Sequence, residues 1–347
     1  MNPPSPFHAA AVVTRGEGVD AWHAAAVAVV DGRGRVTHTR GDADLITFTR
    51  SAIKPLQALP LCLTGARDTL GIDDEELALA AASHDGGDVQ RAIAERLLVK
   101  AGAGADQLLC GAHWPIGMRV AGQHPCAGED RDPLRHNCSG KHAGFLALAR
   151  VLGVTPERYV DPDAAVQRAV KRAVADACEI DEADLRTGID GCSAPNFALP
   201  LSAIARGFKN LATRGPSGPP LDAALARVRA AMQAHPHLVS STTRIDYELT
   251  RAFAGRVVCK GGAESLIAIG FSDPPLGIAI KVLDGGERAL PPVCLAVLIE
   301  LGLVGEAQRT ALAHRVRPIV TNFRGIETGA IIAMGPLLTA NDNPDNS

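Results

Sequence analysis

The hydrophobic period of this 347-residue chain changes along its length, and that change limits the fold more than any single motif. Near the start, Val12-Val13 and the run 24–30 are apolar and flank the turn residues Asp31-Gly32-Arg33-Gly34, which predicts strands joined by a hairpin-like turn. Helical spacing then takes over in segments near 51–63, 74–83, 88–102, 141–152, 161–178, 219–234 and 243–254. After Gly255 the stretches 256–259, 265–271 and 277–283 are short and rich in Val and Ile. Gly-Gly, Asp-Pro-Pro and Asp-Gly-Gly breaks separate them, as in an antiparallel meander. A further helix is predicted at about 292–303, and the polar tail at about 338–347 is expected to be disordered. Strands at both ends around a helical middle predict a single two-lobed α/β domain over 1–347. Its antiparallel sheet is built from both termini (about 8–50 plus 255–335), with an inserted helical lobe (about 51–254) and a cleft between the two.

Several classes of function are excluded by composition. A net charge of −3 without a basic run cannot neutralise a row of phosphates, and 3% aromatic residues give few platforms for bases, so no nucleic-acid partner is expected. The most apolar stretch, 291–304, is too short to span a bilayer and carries Glu300, so no membrane span is expected. The leading MNPPSPFHAA has neither a charged n-region nor an apolar h-region, and a cytoplasmic protein is the expectation. Eight cysteines (62, 110, 126, 138, 178, 192, 259 and 294) scattered through so long a chain suit reduced thiols. Cys62 and Cys294 sit among leucines as core residues. Cys138 and Cys192 have polar, Gly-rich neighbours and are the cysteines with chemical interest.

Only seven of the 35 basic residues are lysines. An amine can be neutral where a guanidinium cannot, so catalysis by a neutral base requires Lys. Lys54, Lys141 and Lys260 stand in unusual settings. Ser51-Ala-Ile-Lys54 opens a predicted helix, where residues i and i+3 share a face and a neutral Lys54 can take the Ser51 proton. Pro55 is tolerated there because it falls in the first turn. The plainer reading is an N-cap serine followed by an exposed lysine. Lys260-Gly261-Gly262 ends the 256–259 strand and is comparable with the K-T-G of penicillin-recognising serine enzymes, but the middle residue is Gly and S-D-N is missing. The middle element must then come from elsewhere; otherwise Lys-Gly-Gly is a turn between strands. Ser83-His84-Asp85 cannot form a relay among neighbours, and reads as a helix C-cap unless Ser83 faces Lys260 or Lys54 across the cleft.

His136-Asn137-Cys138-Ser139-Gly140-Lys141-His142 starts a predicted helix, and Asp190-Gly191-Cys192-Ser193-Ala194-Pro195-Asn196 marks a turn before a further one. Two thiolates would suit Zn²⁺, with Lys141, His142, His136, Asp190 or water completing a tetrahedron. Neither segment has a C-x-x-C pair, and on spacing alone a capping or anion-binding loop with free cysteines is the first choice.

TRSAIKP at 49–55, ASHDGG at 82–87, HNCSGKHAG at 136–144, GIDGCSAPNFALP at 188–200 and CKGGAES at 259–265 together resemble the rhizobial-type L-asparaginases, a serine-dependent, zinc-containing family. The similarity runs from about residue 8 to residue 335. It implies a β-lactamase/penicillin-binding-like fold and hydrolysis of L-asparagine to L-aspartate and ammonia. Carried over by residue, it implies catalytic tandems of Ser51 with Lys54 and Ser83 with Lys260. Cys138, Lys141 and Cys192 become the ligands of one Zn²⁺, and family members are homodimers. For the substrate's α-amino and α-carboxylate groups, Arg50, His142 and Asp190 are the nearest candidates in the motifs. Ser51 is preferred as the nucleophile, with Ser83 shuttling protons. Two other readings are a glutaminase or related serine amidohydrolase on the same scaffold and a non-catalytic, zinc-stabilised binding protein. One methylene separates glutamine from asparagine, worth only about 1–3 kcal/mol in a pocket.

Overall fold

The computed structural model describes residues 9–124 and 130–341. Strands β1 (Ala9–Arg15), β2 (Gly18–Val30), β3 (Val36–Arg40) and β4 (Ile46–Phe48) come from the N-terminal segment. β5 (Arg186–Ile189) and β6 (Pro195–Pro200) lie mid-chain. β7 (Val257–Gly262), β8 (Leu266–Phe271), β9 (Leu276–Val282), β10 (Ile319–Thr321), β11 (Glu327–Ala333) and β12 (Thr339–Ala340) follow. The large antiparallel sheet runs β10-β11-β1-β2-β9-β8-β7, with β3 pairing both β2 and β12. Both ends of the chain therefore meet in one sheet: Val12 of β1 is opposite Ile332 of β11, and Val27 of β2 is opposite Ile280 of β9. The meander expected after Gly255 is β7-β8-β9. The tail expected to be disordered is in part a strand, because β12 pairs with β3 through Thr339 and Ala340; the remainder, 342–347, lies outside the described residues.

The apolar run 24–30 follows from a sheet covered on both faces. Ala26, Ala28 and Val30 pack with Val258, Leu266, Ala268 and Ala279 against the helical lobe. Ala25, Val27 and Val29 pack with Ile267, Ile269, Ile278 and Ile280 on the opposite face. Among the described residues, seven helices of seven or more residues lie between β4 and β7: α1 (Asp74–Ala80), α2 (Asp88–Ala101), α3 (Ser139–Leu152), α4 (Ala165–Cys178), α5 (Leu201–Thr213), α6 (Pro220–Ala234) and α7 (Ile245–Ala252). Two more, α8 (Leu290–Glu300) and α9 (Glu306–Val316), follow β9, and α8 supplies Val293 and Leu298 to the second core. None of the described helices is long and apolar enough to cross a membrane.

α5 is the helix closest to the sheet. Gly270 and Gly277 are cross-strand partners on β8 and β9, and a Cβ at either would overlap a carbonyl oxygen of α5, of Phe208 or Ala205 respectively. The glycines thus set the helix-to-sheet spacing. A helix was expected directly after Asn196, but it begins only at Leu201. β6 intervenes and pairs with β4 and β5 in a separate three-stranded sheet. That small sheet carries Asn196 and the turn at Asp190 to one end of the cleft.

Candidate active site

A cavity of about 640 Å³ opens where the first turn after β4, the loop before α3, the β5–β6 turn and the end of β7 converge. Arg50, Ser51, Cys138, Asp190, Cys192 and Ala263 line it, as do His113, His136 and Asn137. Residues from four of the quoted motifs therefore gather at one place although they span more than 200 positions of the chain.

Ser51 lies in a 3₁₀ turn, Arg50–Ile53, which runs directly into Lys54–Gln57. In a 3₁₀ turn residues i and i+3 eclipse, so Ser51 and Lys54 still share a side. Arg50 is left-handed, with φ 48°, a conformation that costs a non-glycine residue roughly 1–3 kcal/mol and persists only when held. Asn196 holds it. Its Oδ1 accepts from the Arg50 N–H at 3.0 Å and its Nδ2 donates to the Arg50 carbonyl at 3.1 Å. Ser193, Glu264 and Ser265 are left-handed as well, so strained backbone brackets the cavity at the β5–β6 and β7–β8 turns. Gly262 closes the approach of β7: a Cβ there would sit 2.8 Å from the Thr49 carbonyl oxygen and 2.9 Å from the Ala52 nitrogen. The Lys-Gly-Gly strand end thus lies flat against the Ser51 turn.

The two tandem lysines are buried, at 1% exposure for Lys54 and 0% for Lys260. Lys54 Nζ donates to Cys138 Sγ at 3.1 Å, and among the described residues no hydrogen bond joins it to Ser51. Lys260 Nζ donates to the Gly261 carbonyl at 2.9 Å and faces Asp246 Oδ2 at 3.5 Å. Ser83 is buried behind the cavity wall and takes a hydrogen bond from Asn137 Nδ2 at 3.0 Å rather than from either lysine. Burial pushes the Lys260 ammonium down to about 8, with Asp246 opposing and Arg244 and Lys54 adding to the fall. An amine in that range loses its proton readily near neutral pH.

Cys138, Cys192 and Lys141 are also brought together. Lys141 Nζ donates to Cys192 Sγ at 3.0 Å, and all three are buried. A hydrogen bond with Cys192 holds the Cys138 thiol well below its usual range; burial opposes this, and the Lys54 and Lys141 charges assist. No group of three or more His, Cys, Asp and Glu among the described residues is placed to hold a metal, so this set reaches three donors only through the lysine. The seven described cysteines are free thiols; Cys126 lies outside the described residues.

Arg50 Nε donates to Asp190 Oδ1 at 2.8 Å on the cavity wall. Burial would raise the Asp190 carboxyl, yet the Gly191 N–H, Arg50 and Lys141 bring it below the ordinary range. His142, expected among the substrate contacts, is placed behind the thiols instead. It is fully buried, its Nδ1 meets the Tyr159 hydroxyl at 2.7 Å, and its Nε2 makes no hydrogen bond of ordinary geometry among the described residues, with Cys192 beside the ring. Because the Tyr159 oxygen already accepts from the Leu109 N–H, its proton goes to Nδ1, leaving Nε2 as the N–H of the ring. Burial pushes His142 down to about 4, so the ring is neutral.

Four residues with evident roles carry no assignment from sequence: Asn137, Asn196, His113 and Asp246. Asn137 and Asn196 stand inside quoted motifs, and their residue type, with one donor and one acceptor end, was the available sign. His113 ties Asn137 to the Trp114 carbonyl through its two ring nitrogens, at 3.2 and 2.6 Å. Asp246, in the amphipathic α7, has no motif around it.

The family model for L-asparaginase II matches residues 11–333. No curated protein matches the chain. Among solved structures, one titled "Crystal Structure Analysis of Mglu" is 14% identical, with a TM-score of 0.39 over 80% of this chain and 67% of that one, a likeness that carries no argument. The family match takes in every strand but β12, apart from the first residues of β1, and every residue described at the cavity, and on that ground the chain belongs to the L-asparaginase II family and is an amidohydrolase that acts on L-asparagine.

Proposed function

We propose that the protein is a rhizobial-type L-asparaginase of β-lactamase-like, two-lobed architecture, hydrolysing L-asparagine through Ser51 with Lys54 and Ser83 with Lys260. The observation that carries this is the meeting of the Lys260-Gly261-Gly262 strand end with the Ser51 turn, while Ser51 alone of the two serines lines the cavity. Ser51 Oγ attacks the side-chain carboxamide carbon and passes its proton to the buried lysines behind it. The Arg50 and Ala52 N–H groups are taken by Asn196 and the Thr49 carbonyl, which leaves the Ser51 N–H for the developing oxyanion. The tetrahedral intermediate collapses as a lysine protonates the departing ammonia, and water then cleaves the aspartyl ester to release L-aspartate and Ser51. Ser83, held by Asn137 in the place of the missing S-D-N, carries protons between Lys260 and the reacting groups. Arg50 and Asp190 meet the α-carboxylate and α-amino groups.

Zinc fits the donor set. Two buried sulfur atoms, one held toward the thiolate, and one amine converge on a spot beside the cavity, and Cys138, Cys192 and Lys141 would hold the ion. Bound there, it would supply a positive charge that orients the Asp190 and Cys192 side of the site. The neutral His142 N–H beside Cys192 suits an outer-shell donor to a metal-bound thiolate. A homodimer working in the cytoplasm completes the proposal.

Ammonia release by the purified protein from L-asparagine, with L-glutamine and buffer in parallel, tests it together with the metal content. Selective release from asparagine and about one zinc per chain are expected. No release from any amide by a folded, zinc-loaded sample would favour the binding-protein reading.

A further inference from the structure

Asp246 is 1% exposed, in the first turn of α7, and its carboxylate is surrounded by donors. Its Oδ2 accepts from the Gly261 N–H at 2.8 Å and faces Lys260 Nζ at 3.5 Å. Its Oδ1 accepts from Ser240 Oγ at 2.7 Å and from the Tyr247 N–H at 3.2 Å, with Arg244 Nε 3.7 Å away. A Cβ on Gly261 would lie 2.9 Å from Arg244 Nη2 and 3.2 Å from Asp246 Oδ2, so the small residue after Lys260 admits this carboxylate together with the Arg244 side chain beside it. That accounts for the departure from K-T-G: the side-chain space beside the lysine is filled from α7. Inside the protein an unpaired carboxylate is costly, and one whose lone pairs are filled by directed donors is rigid.

We propose that Asp246 is the positioning residue for Lys260, anchoring its amine and the Lys260-Gly261 backbone at the cleft end of β7. This rests on the proposed proton-carrying role of Lys260. The contacts explain why the lysine does not withdraw toward solvent: among the described residues Lys260 Nζ has Gly261 O and Asp246 as its partners, which leaves one N–H of the ammonium over. Four ionisable groups bear on the pair: Arg244, Lys54, the Asp85 carboxyl near Asp246, and the neutral Cys259 thiol. Burial raises the Asp246 carboxyl, but Lys260, Arg244, Gly261 and Ser240 bring it to about 2, so it is charged throughout the working range. Removing that charge lowers the lysine's proton affinity further.

The test compares wild type, Asp246→Asn, Asp246→Glu and Lys260→Ala in the holoenzyme, by kcat and KM for L-asparagine across pH 5–9 and by thermal melting. Asp246→Asn is expected to lower kcat at least tenfold with KM within threefold, and to move the ascending limb of kcat to lower pH. Asp246→Glu is expected to return the limb to its wild-type position. A fall in kcat with an unmoved limb, or no fall, overturns the proposal. Should Asp246→Asn not fold, Ser240→Ala removes one anchor and keeps the charge; it is expected to lower kcat severalfold at constant KM, and an unchanged kcat overturns the proposal. Full turnover by Lys260→Ala instead overturns the underlying Ser-Lys reading, whatever the Asp246 variants do.

Discussion

Replacing Gly262 by alanine tests the contact on which the site is built. The new methyl carbon would lie 2.8 Å from the Thr49 carbonyl oxygen, 2.9 Å from the Ala52 nitrogen and 3.3 Å from the Ser51 nitrogen. Ordinary contacts are ~3.5 Å, so β7 and the Ser51 turn must part by roughly half an ångström. Both sides are backbone, and no flexible side chain can yield. Overpacking of this kind costs about 1–3 kcal/mol of stability. The larger effect falls on the reaction, because Lys260 rides on β7 and Ser51 on the turn, and a shift approaching an ångström costs up to ~100-fold in rate. Gly262→Ala is therefore expected to fold, with its melting point a few degrees lower, and to lose about 10- to 100-fold in kcat/KM for ammonia release from L-asparagine. Gly215→Ala serves as the control, since a Cβ there meets nothing within 4 Å. Wild-type kcat/KM in a folded Gly262→Ala protein would refute the claim that this approach sets the site.

Asn196→Ala leaves the left-handed Arg50 without its two side-chain hydrogen bonds, and about 1–3 kcal/mol of stability should be lost together with most activity; denaturant titration and ammonia release check both. Gly270→Ala, far from the cavity, forces α5 off the sheet and is expected to cost more than 1 kcal/mol in melting experiments without a selective effect on KM. Burial pushes His84 from 6.5 down to about 3, so its neutral form is the folded one. Stability is then complete above pH 6.5 and falls as pH drops; at pH 5 this histidine alone accounts for a loss of roughly 2 kcal/mol, which His84→Gln should remove in denaturation curves at pH 7 and 5. Cys192→Ser removes one proposed zinc ligand, and its melting point should no longer respond to a chelator that lowers that of the wild type.

The meander β7-β8-β9 was legible because its strands are apolar on both faces and Gly-Gly and Asp-Pro-Pro mark its turns. β10 and β11 were not read, since Ile319 and Thr321 are exposed, Glu327 begins the second strand, and these outer strands bury little. β6 was passed over because Pro195 and Pro200 punctuate it like a loop; it is a short central strand bounded by prolines. At the cavity, Ser51, Asp190 and the thiols were visible through their residue types in unusual company. Lys54 was visible too, but not its partner: spacing places it on the Ser51 side, whereas burial directs its ammonium to Cys138. Asp246 was invisible because an aspartate in the first turn of an amphipathic helix is ordinary, and only the fold sets it beside Lys260.

Which serine attacks decides the mechanism. Ammonia release from L-asparagine should be measured side by side for wild type, Ser51→Ala and Ser83→Ala, each checked for folding. Loss of turnover by at least about 1,000-fold in Ser51→Ala, with residual turnover in Ser83→Ala, is the predicted result. Turnover retained in Ser51→Ala and abolished in Ser83→Ala would contradict it.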